Sequence, residues 1–146
     1  MSITGIGRKL FVVTALYSVL AVYLHFKFYP FFNIQASWVW FIGVILMLSG
    51  AVLIFKSIRE LFSAISKDDL ATGGPFAVFA NPIYASWILL ILPGISLFIY
   101  SWLMLTASIV MYVALKVLIV REEEYLRGKF GTKYDNYRKE VLCKFL

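Results

Sequence analysis

Three observations on the sequence predict an all-α, polytopic membrane protein with about four transmembrane helices, including a C-terminal helical hairpin followed by a cytoplasmic helix. The chain has 146 residues, of which 62% are hydrophobic and 15% charged, and its mean hydropathy is +0.85. One core of this size cannot bury so much apolar surface, so the excess must face lipid. The uncharged residues also form long runs, and the basic residues concentrate on one predicted side of the membrane.

The first two predicted spans are the runs from Leu10 to Phe26 and from Trp38 to Phe55. The first run has 17 residues, which is the lower limit for a helix that crosses the hydrocarbon region. Tyr29 and Pro30 should mark its end. The second run opens with tryptophans, which favour the membrane interface, and closes at basic residues.

The last apolar stretch runs from Ile83 to Val120 and predicts a helical hairpin. Its 38 residues contain one charge, Lys116, and are just enough for two spans. The turn is expected near Ser96 to Trp102, although Pro93-Gly94 could end the first arm earlier.

Polar segments flank this hairpin on both sides. Residues 59 to 82 contain charges, glycines and prolines, and therefore predict an extramembrane loop. Arg121 to Leu146 is charged throughout and predicts a helix that emerges into water. No Gly/Ser linker, low-complexity tract or repeat divides the chain, so residues 1–146 are predicted to form a single domain.

The distribution of basic residues predicts the orientation of these spans. Four crossings place the N-terminus, the middle loop and the C-terminal tail on one side. Of the 14 Lys and Arg residues, all except Lys27 then fall on that side. Because basic residues favour the cytoplasmic side, both termini are expected to be cytoplasmic.

Composition also excludes several classes of function. The net charge of +6 comes from basic residues whose positions the predicted membrane topology already explains, so nucleic acid is not an expected partner. Cys143 is the single cysteine, and no cluster of cysteine and histidine has metal-ligand spacing, so no metal site is expected. A small transporter is disfavoured because the apolar runs carry no ionisable residue at mid-depth.

The first candidate binding segment precedes the hairpin. It contains Gly73-Gly74-Pro75 and then Asn81-Pro82, with Tyr84 following at the start of the third span. Glycines allow a ligand to approach the backbone closely. The same residues also suit a plain loop followed by a helix start, in which Asn81 caps the free amides before Pro82.

The second candidate segment follows the hairpin. Glu122 and Glu123 point in different directions on a helix, so one carboxylate can face the bundle while the other meets a basic group or a ligand hydroxyl. Phe130, Tyr134 and Tyr137 then form an aromatic stripe on one helix face. A solvated charge run and simple packing of the aromatic rings explain the same pattern without a ligand.

Together the two segments resemble the integral membrane methyltransferase superfamily, which includes isoprenylcysteine carboxyl methyltransferases and phosphatidylethanolamine N-methyltransferases. The resemblance covers roughly residues 40 to 146, and every spacing agrees. The matching residues are Gly74-Pro75-Phe76, Asn81-Pro82-Ile83-Tyr84, Glu122-Glu123, Leu126, Phe130-Gly131, Tyr134, Tyr137 and Val141. The chain departs from many relatives at Ala80-Asn81, where they have Arg-His.

The resemblance implies S-adenosylmethionine as cofactor and a lipid-like acceptor that enters from the bilayer. The residues that would bind the cofactor are Gly73, Gly74, Pro75, Asn81, Pro82, Tyr84, Glu122 and Glu123. Of these, Asn81, Tyr84, Glu122 and Glu123 would also be catalytic, the glutamates by binding adenosine or amine groups or by orienting the acceptor. The acceptor stays open between an isoprenylcysteine carboxylate and a phospholipid amine headgroup. A degenerate scaffold of the same fold is the alternative, since Ala77 and Ala80 replace residues that are often basic.

Overall fold

The apolar runs form the helices of the computed structural model, which describes residues 3–28, 37–144 and 146. The helices are α1 (Ile3–Phe28), α2 (Ser37–Ser66), α3 (Pro75–Val78), α4 (Pro82–Ser86), α5 (Leu92–Phe98), α6 (Trp102–Phe130) and α7 (Thr132–Glu140). A π-helical turn, Trp87–Ile91, joins α4 to α5. No β-strand forms within the described ranges, so the predicted all-α class is confirmed. The predicted end of the first span at Tyr29 and Pro30 lies outside them.

Three of the described helices are long and apolar enough to cross a membrane, namely α1 from Ile6 onwards, α2 and α6. Their large apolar side chains point outwards: Val19 of α1 is 69% exposed, Phe55 of α2 68% and Val117 of α6 72%. A protein with such a surface is stable in lipid and not in water. The chain is therefore an integral membrane protein.

The predicted third span is a shorter, continuous helical segment, Pro82–Phe98. At 1.5 Å per residue it is roughly 25 Å long, slightly less than a hydrocarbon core of about 30 Å. Pro93 does not break this segment, because the helix widens one turn earlier: Leu92 N–H donates to Trp87 O, five residues back. The fourth crossing expected from the sequence depends on this segment, since the other three helices are long enough on their own.

The hairpin turn lies at residues 99–101, inside the predicted range. Tyr100 has a φ of 53°, which reverses the chain after α5. Ser101 then caps α6 by accepting a hydrogen bond from Met104 N at 3.3 Å. Ser96 Oγ donates to Ser101 O at 2.7 Å and thereby fixes the turn to the end of α5.

Two predicted boundaries were wrong. Residues 59–66 continue α2 and are not part of the loop, because no proline or glycine interrupts them and their side chains are compatible with a helix. The tail from Arg121 to Leu146 is not one helix. Gly131, with a φ of 52°, separates α6 from α7, and residues 141–144 leave the helix altogether.

Small residues set the packing of α2 against the shorter segment. A Cβ atom added to Gly43 would lie 2.8 Å from Gly94 O, and one added to Gly50 would lie 2.6 Å from a side-chain carbon of Ile91. Such close approach of backbones is typical of helices packed in membranes. The main core lies between α1, the Pro82–Phe98 segment and α6; its buried members are Leu10, Ala21, Ile88, Leu92, Met104, Ala107, Met111, Leu115 and Ile119.

Candidate functional site

The main cavity of the described structure lies at one end of the helix bundle and has a volume of about 500 Å³. The start of α1, the end of α2, the start of α4 and the end of α6 all contribute to its walls, together with the loop after α2 and with α7. The start of α1, the middle loop and the tail therefore meet at the same end of the bundle. Residues of both motif segments line this cavity, although about 40 residues of hairpin separate Asn81 from Glu122 in sequence.

The Asn-Pro corner contributes three of the predicted site residues, Asn81, Pro82 and Tyr84. Pro82 is the first residue of α4, where its missing N–H leaves no intrahelical bond unmade. Asn81 occupies the N-cap position, but its side chain makes no capping hydrogen bond. The alternative interpretation, in which Asn81 caps the helix, is therefore wrong, and Asn81 is one of the residues that line the cavity.

The start of α1 closes the wall of the cavity beside Tyr84. Ile6, Gly7 and Phe11 line the cavity from this side. A Cβ atom added to Gly7 would lie 3.3 Å from the Tyr84 hydroxyl oxygen, so the backbone of α1 passes directly beside that group. Sequence reasoning missed these residues, because Ile6 and Gly7 precede the predicted first span and nothing distinguishes Phe11 from a lipid-facing side chain.

The two predicted glutamates differ in their surroundings. Glu123 Oε1 forms an ion pair with Arg138 Nη2 at 2.8 Å. Glu122 also lines the cavity, and its Oε2 is buried without a hydrogen-bond partner among the residues that the structure describes. Because a buried, unsatisfied carboxylate oxygen is costly, Glu122 is the group here that most needs a ligand.

The predicted glycine loop lies outside the cavity lining. Gly74 has a φ of 54°, a conformation that side chains disfavour, and a Cβ atom at Gly73 would lie 2.7 Å from Glu60 Oε1. Pro75 is the first residue of α3. These three residues shape the turn that leads to Phe76, which does line the cavity.

Two ion pairs attach the loop after α2 to the other motif segment. Lys129 Nζ lies 2.5 Å from Asp68 Oδ1, and Lys133 donates a hydrogen bond to Asp69. The hydrogen bond from Lys133 holds the pKa of the Asp69 carboxyl below its usual range. Asp68, Asp69 and Lys129 all line the cavity. Sequence reasoning assigned them only to a polar loop and a basic tail.

The aromatic stripe connects α7 to the Asn-Pro corner. Tyr134 and Tyr137 are buried with Val141, and Phe130 packs against them. Burial raises the pKa of Tyr137 to about 12, so its hydroxyl keeps its proton and donates to Phe76 O at 2.8 Å. The tyrosines and Phe130 also line the cavity, so the stripe serves both packing and the site.

Backbone hydrogen bonds complete this connection. Cys143 N donates to Val78 O at 2.8 Å, and Ala80 N donates to Cys143 O at 3.1 Å. The end of the chain thus runs parallel to residues 77–80, immediately before the Asn-Pro corner.

These features define an all-α, polytopic membrane protein with a cavity at one end of its bundle, lined by an asparagine-proline corner and a pair of glutamates. A family model described as phospholipid methyltransferase matches residues 38–133, and the chain belongs to that family. The match includes the Asn-Pro corner and both glutamates, and it ends before Tyr134, Tyr137 and Val141. Searches of curated proteins and of solved structures returned no match.

Proposed function

We propose that this protein transfers a methyl group from S-adenosylmethionine to a membrane-embedded, lipid-like acceptor. One observation carries the proposal: the Asn81-Pro82 corner and the Glu122-Glu123 pair line a single cavity. Membership of the phospholipid methyltransferase family supports this reaction class.

The residues of the cavity fit such a cofactor. A volume of about 500 Å³ lies within the range of small-molecule pockets. Glu122 Oε2, buried and without a partner in the described ranges, is available to accept a hydrogen bond from an ammonium or hydroxyl group. Asn81 and Tyr84, which line the same cavity beside Pro82, would also hold the cofactor. Glu123 would act through its ion pair, and Gly73-Gly74-Pro75 through the position of Phe76.

The chemistry is divided between cofactor and protein. When bound, S-adenosylmethionine supplies a methyl group that its sulfonium already activates. The side chains of the cavity bind and orient the reactants and exclude water. Leu61, Ile65 and Leu126 give the cavity apolar walls that suit the acyl or prenyl part of an acceptor.

Among the two acceptor classes, a phospholipid amine headgroup is the better supported. Ala80 stands where many relatives have arginine, and it packs beside Tyr134 and Tyr137 without contributing a charge. At this position the chain therefore offers a carboxylate acceptor no cationic partner, whereas an amine that attacks as the neutral base needs none. The family description also refers to phospholipids.

The function is tested by incubating the purified protein with methyl-labelled cofactor and a membrane lipid extract, and then identifying the labelled product. A labelled phospholipid headgroup is the expected result. Calorimetric titration with S-adenosylhomocysteine in detergent separates an enzyme from a degenerate scaffold, because only the enzyme is expected to give a saturable heat. No saturable heat together with no labelled lipid would refute the proposal.

We also propose that the cavity lies on the cytoplasmic side, as the distribution of basic residues favours. Cys143, the single cysteine, is partly exposed near the cavity end. A membrane-impermeant maleimide should therefore label it in inside-out vesicles and not in right-side-out vesicles. The matched control carries Ser37→Cys with Cys143→Ser, because Ser37 is exposed at the opposite end of α2 and should show the reverse pattern. Labelling of Cys143 from outside only would contradict this orientation.

A further inference from the structure

Most of the charged side chains that line the cavity belong to ion pairs. Asp68 pairs with Lys129, Glu123 with Arg138, and Asp69 with Lys133, which lies outside the lining. Two buried charged atoms remain without a hydrogen-bond partner among the described residues: Glu122 Oε2 and Arg138 Nη1. They carry opposite charges, and both residues line the same cavity.

The guanidinium group of Arg138 is held in place through Nη2, the nitrogen opposite the unpartnered Nη1. Nη2 binds Glu123 Oε1 at 2.8 Å, and the Arg138 side chain is 22% exposed while its Nη1 is buried. A guanidinium group is planar and has five donors in a fixed arrangement, so fixing one nitrogen also orients the other. A buried, charged donor without an acceptor is costly, and its natural partner is an anion.

We propose that Arg138 is the anion-binding residue of this cavity, positioned by Glu123, and that Arg138 and Glu122 together bind a zwitterion whose ammonium and acidic groups they hold at opposite ends. The proposal rests on the proposed function and adds to it. Arg138 lies beyond residues 38–133, so membership of the family assigns it no role.

Two ligands of the proposed reaction carry this chemistry. The amino-acid part of the cofactor has an ammonium group and a carboxylate, and a phosphoethanolamine headgroup has an ammonium group and a phosphate. Tyr134 also lines the cavity. Burial and, to a smaller extent, the Glu123 carboxylate raise its pKa to about 12, although the Arg138 guanidinium acts in the opposite direction. The neutral phenol of Tyr134 is therefore available as a further hydrogen-bond donor.

The test compares wild-type protein with Arg138→Gln in two binding arms. The first arm measures the affinity for S-adenosylhomocysteine and for 5′-methylthioadenosine, which lacks the amino-acid group. The second arm measures the affinity for a short-chain phosphatidylethanolamine and for the matching diacylglycerol, which lacks the headgroup. Arg138→Gln should weaken the binding of whichever zwitterion occupies this site, S-adenosylhomocysteine or the phosphatidylethanolamine. The expected loss is about tenfold to a hundredfold, as the loss of a charged hydrogen bond predicts. Binding of the two truncated ligands should not change.

Two control variants keep the result interpretable. Arg127→Gln removes an arginine of an exposed ion pair with Asp135, outside the cavity lining, and should leave all four affinities unchanged. The double variant Glu123→Gln, Arg138→Gln removes both members of this partly buried pair. If Arg138→Gln acted only by leaving Glu123 unpaired, the double variant would restore the affinity, and that result would overturn the proposal.

The outcomes separate this inference from the proposed function. A selective loss for S-adenosylhomocysteine identifies the cofactor carboxylate as the anion, and a selective loss for the phospholipid identifies its phosphate; either supports the inference. If the wild type binds S-adenosylhomocysteine and Arg138→Gln binds both zwitterions equally well, the inference fails and the proposed function stands. If the wild type does not bind S-adenosylhomocysteine, the proposed function fails, and the anion site then stands or falls with the lipid arm alone.

Discussion

Replacing Glu122 with glutamine is expected to reduce the affinity for S-adenosylhomocysteine at least tenfold and the rate of methyl transfer by roughly a hundredfold or more. Glutamine keeps the shape of the side chain and removes its charge. The wild-type carboxylate has a buried Oε2 that accepts no hydrogen bond from any described residue, so its burial is favourable only when a ligand supplies a donor. Calorimetric titration and the labelled-lipid assay measure the two effects.

The stability of the Glu122→Gln variant tests the role of Glu122 independently of ligand binding. Without ligand, Glu122→Gln should be as stable as the wild type or more so, because a neutral amide loses less on burial than an unpaired carboxylate. Glu124→Gln is the matched control, since Glu124 is exposed on the same helix and does not line the cavity. An unchanged ligand affinity in Glu122→Gln, or a loss of affinity equal to that of Glu124→Gln, would remove Glu122 from the site.

Sequence alone predicted the helices well where apolarity decides the structure. The runs that contain Val19, Phe55 and Val117 are long and carry at most one charged residue, and in lipid such runs have no alternative to a helix that satisfies its own backbone. Their ends were less predictable. The α2 helix continues to Ser66, since charged helix formers neither break a helix nor reveal where it leaves the membrane.

The candidate site was predictable in part, for a related reason. Asn81 and Glu122 lie in local motifs whose spacing can be read along the chain, and the hairpin necessarily brings its two ends together. Arg138 is different, because it lies on α7, whereas its partner Glu123 lies on α6, before the break at Gly131. The spacing of Glu123 and Arg138 in the sequence therefore did not predict that their side chains meet.

The start of α1 was unpredictable for a third reason. Gly7 lies directly beside the Tyr84 hydroxyl, yet α1 lies wholly outside the segment that matches the family model. In a membrane protein, core-facing and lipid-facing side chains are both apolar, so hydrophobic patterning does not indicate which face of a helix packs inwards. Small residues indicate the inward face better. Gly43 of α2 and Gly94 of the Pro82–Phe98 segment mark one such contact, and the position of the Asn-Pro corner depends on it.

The contact between Gly43 of α2 and Gly94 is expected to be the most sensitive point of the fold. Gly43→Ala should destabilise the protein by about 1–3 kcal/mol, because the added methyl group overfills a closely packed contact. Its Cβ atom would lie 2.8 Å from Gly94 O and 3.0 Å from Phe98 N, and backbone atoms of a helix cannot turn away as a flexible side chain can. The Pro82–Phe98 segment must then move away from α2 and carry Asn81 and Tyr84 with it. Thermal unfolding in detergent should show a lower midpoint, and the affinity for S-adenosylhomocysteine should fall as well.

Gly128→Ala provides the matched control for this prediction. Gly128 lies within α6, and a Cβ atom at that position would meet nothing within 4 Å. Alanine favours a helix over glycine by about 1 kcal/mol, so the midpoint should stay the same or rise. If Gly43→Ala unfolded at the same temperature as Gly128→Ala, the two backbones would not be in contact at Gly43 and Gly94. The position of the Asn-Pro corner would then have to depend on its other contacts, such as that of Gly7 with Tyr84 and that of the tail with residues 77–80.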